Sequence, residues 1–90
     1  MKVVGRDETG RLVVDGVYKF SGTYGLPFEI LFSELNKRNL VPCIAAFIID
    51  ALAEGTSRTN LRSRLEYAVG EVYGRDYQQQ FIQRFRALTG

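Results

Sequence analysis

Apolar and polar positions alternate most clearly within residues 12–20. The runs LVV and VYKF flank Asp15-Gly16, and both are rich in β-branched or aromatic side chains. Because Asp and Gly tolerate the positive φ that a type I′ turn requires, this pair predicts a β-hairpin. Lys2–Val4 could add a third strand across the loop GRDETG. A two-stranded hairpin is marginal alone, so we expect this segment to pack on helices or to become ordered with a partner.

The next segment has the period of an amphipathic helix. Residues 21–25, SGTYG, are typical of a loop, and Pro27 suits a first helical turn. Apolar residues then recur at i, i+3, i+4 and i+7, which places them on one helical face: Phe28, Leu31, Phe32 and Leu35. We expect this face to pack in the core.

A second helix is predicted from Pro42 to Gly55, after a short link at Asn39–Val41. Its sequence, CIAAFIIDALAE, is apolar on nearly every side. Such a helix is either central to the domain or covered by a second chain. Both alternatives stay open, because a chain of 90 residues has little material with which to wrap a central helix.

Two further helices complete the pattern. We expect Ser57 to be the N-cap of the third helix and Gly74 to follow its last turn. Asp76 should cap the fourth helix, with Gln79 at the reciprocal capping-box position. The apolar stripe of the third helix comprises Leu61, Leu65, Ala68, Val69 and Val72. The predicted buried side of the fourth comprises Tyr77, Phe81, Phe85 and Leu88.

These elements predict an α+β fold that is mainly α. An N-terminal hairpin or arm (residues 1–22) should precede a compact bundle of four short helices (residues 26–90). The length of 90 residues corresponds to one domain. A hydrophobic fraction of 46% is sufficient for a folded core.

The composition restricts the chemistry of the protein. The chain has no histidine and one cysteine, Cys43. It therefore lacks the residues for a Cys/His zinc cluster, a Ser-His or Cys-His nucleophile, or an internal disulfide. No carboxylate pair, EF-hand loop or phosphate loop has the spacing that its chemistry needs. The sequence predicts a non-enzymatic protein with no cofactor, no metal and no evident small-molecule substrate.

Hydropathy and charge indicate where in the cell the protein is found and what kind of partner it could bind. The longest apolar run, Cys43–Ile49, is far shorter than the ~20 residues that a membrane span needs. The start, MKVVGRDETG, soon becomes polar, unlike a secretory signal. We therefore expect a soluble, intracellular protein of the cytoplasm with no membrane partner. Twelve Lys and Arg against ten Asp and Glu give a net charge of +2, which is weak support for a polyanionic partner.

Residues 51–65 have the spacing of a helix-turn-helix. Ala51 is a small residue where two helices would approach each other. Gly55, four positions later, suits the tight turn, and Leu61 would anchor the second helix. This stretch resembles the helix-turn-helix family of DNA-binding proteins.

The resemblance implies a DNA-binding surface, and a dimer in which the hairpin is an arm or a dimer contact. Residues 57–67 would be the recognition helix in the major groove. The side chains that would face DNA are Ser57, Arg58, Thr59, Arg62 and Ser63.

Two positions depart from that pattern. The family has apolar residues before the small residue and before the glycine, where this chain has Asp50 and Glu54. A carboxylate at a core position is costly unless it is paired. The alternative interpretation is an ordinary corner between helices, in which Gly55 ends one helix and Ser57 caps the next.

The sequence favours a small protein-interaction or regulatory module over a DNA-binding protein. The apolar second helix would bind a second copy of the chain or another protein. Tyrosine is frequent at such interfaces because it buries a large area and keeps a polar tip. The predicted contact surface comprises Ile44, Phe47, Ile48 and Tyr67. DNA binding through the helix-turn-helix is the alternative function.

Overall fold

The computed structural model describes residues 1–89 and confirms an α+β fold that is mainly α. These residues form three strands and five helices. In chain order they are β1 (Lys2–Arg6), β2 (Leu12–Asp15), α1 (Val17–Tyr24), α2 (Phe28–Lys37), β3 (Leu40–Pro42), α3 (Ile44–Ala53), α4 (Arg58–Tyr73) and α5 (Arg75–Thr89). No helix within residues 1–89 is both long and apolar enough to cross a lipid bilayer.

The strands form one sheet in the order β1-β2-β3. β1 and β2 are antiparallel, with Arg6 opposite Leu12. β3 is parallel to β2, with Val41 opposite Val13. Parallel neighbours need a crossover connection, and α1 and α2 provide it here. α2 packs against β3, whereas β1 is exposed along its whole length.

The predicted turn at Asp15-Gly16 is wrong. Gly16 has φ +82° but precedes α1, so the run that follows it is helical. The hairpin forms instead between β1 and β2, across the loop GRDETG. The sequence had indicated this loop only as the connection to a third strand at Lys2–Val4. Val17 and Ser21 lie four residues apart and are both buried, so α1 turns one face to the core. In so short an apolar run, burial against the other elements decides between strand and helix.

The link at Asn39–Val41 is also different from the prediction. Leu40–Pro42 pairs with β2, and the N–H of Cys43 donates to the carbonyl of Val14 at 2.8 Å. Pro42 therefore ends an edge strand, where its missing N–H is tolerated, and α3 begins two residues later.

The last two helices meet at Gly74, as predicted. Gly74 has φ +95° and follows the end of α4. α5 begins at Arg75, because Gln78 N–H donates to the carbonyl of Gly74 at 3.1 Å. Asp76 therefore lies in the first turn of α5 and not at its N-cap. Leu88 is 41% exposed, so it does not belong to the buried side that Phe81 and Phe85 form.

α3 is the central helix of the core. The ring of Phe47 packs edge-on against Tyr18, Phe28 and Phe32, at centroid distances of 5.4, 5.0 and 5.5 Å. Ile48 is fully buried in the same cluster. The apolar character of α3 is thus largely explained by packing within one chain. The large side chain on α3 that remains exposed is Ile49, at 55%.

Candidate nucleic-acid interface

α3 and α4 meet at a corner that has helix-turn-helix features. Ala51 and Leu61 are both fully buried. Gly55 has φ +89°, a left-handed conformation that a side chain would strain. Thr56 N–H donates to the carbonyl of Ala51 at 3.2 Å, and Gly55 N–H to that of Leu52 at 3.0 Å. These are the two hydrogen bonds of a Schellman motif, which ends α3 sharply and redirects the chain into α4.

The two acidic residues that depart from the family pattern do not enter the core. Glu54 is exposed and Asp50 is half-buried at the surface of α3. The desolvation cost expected for carboxylates at core positions is therefore largely avoided. The corner is held instead by Ala51, Leu61 and Leu65, which belong to one buried cluster.

Ser57 is the N-cap of α4, as predicted. Its backbone is extended, and its hydroxyl accepts a hydrogen bond from Asn60 N–H at 3.5 Å. The first turn of α4 contains no acidic residue. The unpaired N–H groups of this turn and the Arg58 guanidinium therefore reinforce each other as a region of positive potential.

The residues predicted to face DNA lie around this helix end. Arg62 is half-buried, and the other four are exposed: Ser57, Arg58, Thr59 and Ser63. Arg58 and Arg62 are four residues apart, so they lie on neighbouring turns of one side of α4. Neither has an ion-pair partner among residues 1–89. Their charges are thus available to an anionic partner.

Two basic residues at the end of α2, Lys37 and Arg38, are engaged differently. Glu34 forms ion pairs with Lys37 and Arg38, both at 3.1 Å. Hydrogen bonds from Lys37 and Arg38 lower the pKa of the Glu34 carboxyl, so it stays ionised beside them. One carboxylate therefore partly neutralises the two positive charges at the end of α2, whereas the start of α4 has no such carboxylate.

A second feature of α4 was not predicted from the sequence. The Arg64 guanidinium lies 4.2 Å from the centroid of the Phe28 ring on α2. Tyr67, one turn further along α4, is 58% exposed. These residues border a shallow depression between α2 and α4, together with Pro27 and Ser63. The pairing of Arg64 with Phe28 joins two distant segments, so no local sequence signal could have revealed it.

The predicted contact surface on α3 needs correction. Phe47 is 2% exposed and Ile48 is fully buried, so neither is accessible to a partner in this fold. Ile44 is half-buried at the start of α3, beside the β1–β2 loop. Tyr67 lies elsewhere, in the depression between α2 and α4. The four residues do not form one surface, because the rings of α1 and α2 cover the side of α3 that carries Phe47.

Within residues 1–89, no group of three or more His, Cys, Asp or Glu residues is placed to hold a metal ion. Comparison with protein-family models, curated proteins and solved structures gives no match to this chain. The start of α4, next to the buried corner at Ala51 and Leu61 and with an exposed basic face, is a region whose geometry and charge suit recognition of an anion.

Proposed function

We propose that this protein binds double-stranded DNA through the exposed start of α4. The proposal is carried by one observation, which is that Ala51, Gly55 and Leu61 occupy the roles that a helix-turn-helix assigns to them. The small residue and the anchor are buried, and the glycine makes the turn. That arrangement leaves the first turns of α4 exposed and basic, as a recognition helix requires.

Each group on this face has a distinct role in the proposed complex. Free N–H groups at the start of α4 bind a phosphate oxygen, which orients the helix on the duplex. Arg58 and Arg62 contact phosphates or fork onto guanine in the major groove. The hydroxyls of Thr59 and Ser63 donate to phosphate or base edges.

Charge limits where along α4 the DNA can lie. Glu66 and Glu71 occupy the later turns of the helix, and both would repel phosphates. Contact is therefore confined to the N-terminal half of α4. Two or three neutralised phosphates per chain would give a slope of log K against log salt of about −2 to −3.

The experiment is a titration of a labelled random-sequence duplex, followed by fluorescence anisotropy between about 50 and 200 mM salt. Arg58→Ala and Arg62→Ala should each weaken binding about fivefold or more, since each removes one charged contact to DNA. Arg86→Ala, which removes an exposed arginine from the last turn of α5, is the matched control and should leave affinity unchanged. Equal losses in all three variants would indicate only a response to net charge and would contradict a specific role for α4. An absence of binding at low salt would contradict DNA binding altogether.

A second function is favoured by the depression between α2 and α4. Tyr67 is exposed beside the Arg64–Phe28 pair, and tyrosine and arginine dominate the energetics of many protein interfaces. The alternative proposal is therefore a protein-interaction module, as the sequence favoured, with the contact moved from α3 to this depression. The two proposals share Ser63, which borders the depression, but Arg58 and Arg62 belong only to the DNA-binding face and Tyr67 only to the depression. Substitutions at these three residues therefore separate the proposals.

A further inference from the structure

A cleft lies apart from the exposed face of α4, between the β1–β2 loop, the start of α3 and the first turns of α5. Its volume is about 650 Å³. Ligand sites commonly have ~300–1,000 Å³, so a small molecule would fit. No motif in the sequence indicated this site, because its residues come from three separate stretches of the chain, within residues 6–13, 41–44 and 73–84.

One part of the cleft is apolar and aromatic. Val41, Pro42 and Phe81 are buried side chains that line it. Tyr73 and Tyr77 also line it, with ring centroids 5.4 Å apart. Tyr73 is fixed because its hydroxyl donates to the carbonyl of Leu40 at 2.8 Å. Burial raises the pKa of Tyr73, so its ring remains neutral and suits a flat apolar group.

Arg11 is held against these two rings. Its guanidinium carbon lies 5.6 Å from the Tyr73 centroid and 5.7 Å from the Tyr77 centroid. Nη1 donates to the Thr9 hydroxyl at 3.0 Å, while Nε is buried without a hydrogen-bond partner. A guanidinium has five N–H donors, so most of those on Arg11 are unused by the protein. A buried donor without an acceptor is costly, and Nε itself is closed to solvent, so the unused Nη donors are the ones that a bound anion would contact.

The other charged groups at the cleft differ in their availability. Arg84 is an exposed side chain of α5 without an ion-pair partner among residues 1–89. Arg6 lies at the end of β1 and donates to the Gly10 carbonyl at 2.8 Å. Asp7 Oδ1 accepts three hydrogen bonds within its own loop, and its Oδ2 is buried without a partner. Glu8 and Asp76 line the cleft as exposed side chains.

We propose that this cleft binds a small planar anion, an aromatic molecule that carries a carboxylate or a phosphate. The ring lies against the tyrosine and apolar walls, and the anionic group reaches the free N–H donors of Arg11 and Arg84. An anion is favoured over a cation because Asp7 Oδ1 is committed to its own loop and Asp7 Oδ2 is closed to solvent, whereas Arg11 and Arg84 retain unused N–H donors. Glu8 and Asp76 are the exposed carboxylates that oppose an anion in the cleft. This site shares no residue with the proposed DNA-binding face.

The test uses two probes of this class, AMP and indole-3-acetate, measured by isothermal titration and by chemical-shift changes of the Arg11 Nε–H. The two probes distinguish a phosphate from a carboxylate ligand. Adenosine and inorganic phosphate are the controls that lack one of the two groups. We expect at least one probe to bind at least about tenfold more tightly than both controls, because only the probes use the rings and the arginines together.

Three substitutions test whether charge at the cleft raises or lowers the affinity for the probes. Arg84→Ala should weaken probe binding about fivefold, and Asp76→Asn should strengthen it, since the first removes an attracting charge and the second a repelling one. Arg86→Ala, on the same helix but outside the cleft, should change nothing. Arg84→Ala changes no described hydrogen bond or ion pair, so the folded state should persist. Failure of both probes to bind, reversed signs for the first two variants, or an equal effect of Arg86→Ala would each overturn the proposal.

Discussion

Asp7 shows how a single residue orders the β1–β2 loop. Its Oδ1 accepts hydrogen bonds from Thr9 N–H, the Thr9 hydroxyl and Arg11 N–H, at 2.9, 2.7 and 2.9 Å. Burial acts to raise the pKa of Asp7, but these hydrogen bonds and the Arg11 charge outweigh it and leave the pKa lowered. The loop that lines the cleft therefore depends on an ionised carboxylate.

This dependence predicts a pH-sensitive contribution to stability. Because the folded-state pKa lies below the unfolded value of 3.8, the contribution is complete above that pH and is lost as the pH falls through the lower folded-state pKa. At neutral pH, Asp7→Asn should lower the free energy of unfolding by about 1 kcal/mol, since hydrogen bonds to a charged acceptor are stronger. Urea unfolding from about pH 7 downward should show the difference shrink once the pH falls below 3.8.

Glu8→Gln is the matched control, since Glu8 is exposed in the same loop and has no described hydrogen bond. It should follow the wild type at every pH. A deficit of Asp7→Asn that is constant across the range would indicate lost packing and not a lost charge.

At the scale of elements, α4 and α5 pack closely at a glycine. A Cβ at Gly70 would overlap the side-chain amide of Gln78. That amide donates to the carbonyl of Glu66 at 3.0 Å and so links the two helices. Replacing Gly70 with alanine would raise the helix propensity of α4, but its methyl group would displace the Gln78 amide and break this hydrogen bond.

This balance predicts that Gly70→Ala has different effects on stability in the wild type and in Gln78→Ala. In the wild type, Gly70→Ala should change the free energy of unfolding by less than about 0.5 kcal/mol, because a propensity gain of about 1 kcal/mol offsets the loss of one hydrogen bond. In Gln78→Ala, the same change should stabilise by about 1 kcal/mol, since no bond remains to lose. A double-mutant cycle in urea measures this coupling. Equal effects of Gly70→Ala in both backgrounds would show that Gln78 does not contribute to the helix contact.

At the scale of the whole molecule, the burial of α3 means that a partner cannot bind at Phe47 and Ile48, where the sequence placed the contact. Removing Phe47 would cost about 3–5 kcal/mol, a large part of the stability of a small domain. Substitutions there report on folding and not on partners. The large hydrophobic side chains that remain exposed on α3 and α4 are Ile49 and Tyr67, and they lie on different helices.

The interaction proposal predicts a native mass that rises with concentration toward a dimer, as measured by light scattering. Tyr67→Ser should keep the protein monomeric and leave its unfolding curve unchanged, because Tyr67 is exposed and outside the core. Ile49→Ser is the matched control and should retain association. A mass that does not change with concentration would contradict self-association, and loss of association only in Ile49→Ser would move the contact to α3.

Much of the fold could be predicted because its signals are local. The apolar spacing from Phe28 onward marks α2, and the cap at Ser57 marks the start of α4. The corner at Gly55 was also visible, since a left-handed glycine between two helices has a recognisable spacing. The residues proposed to face DNA follow from that corner alone.

The tertiary structure decided what local patterns leave open. Val17–Tyr24 is a helix because Val17 and Ser21, four residues apart, both reach the core on one helical face. Leu40–Pro42 is a strand because β2 offers a partner. Phe47 is buried because aromatic rings from α1 and α2 reach it. The sequence by itself determined the corner between α3 and α4 at Gly55 and most helices, whose periods and caps span only a few residues. Only the tertiary structure decided the burial of α3, the Arg64–Phe28 pair and the cleft around Arg11, because these depend on contacts between segments far apart in the chain.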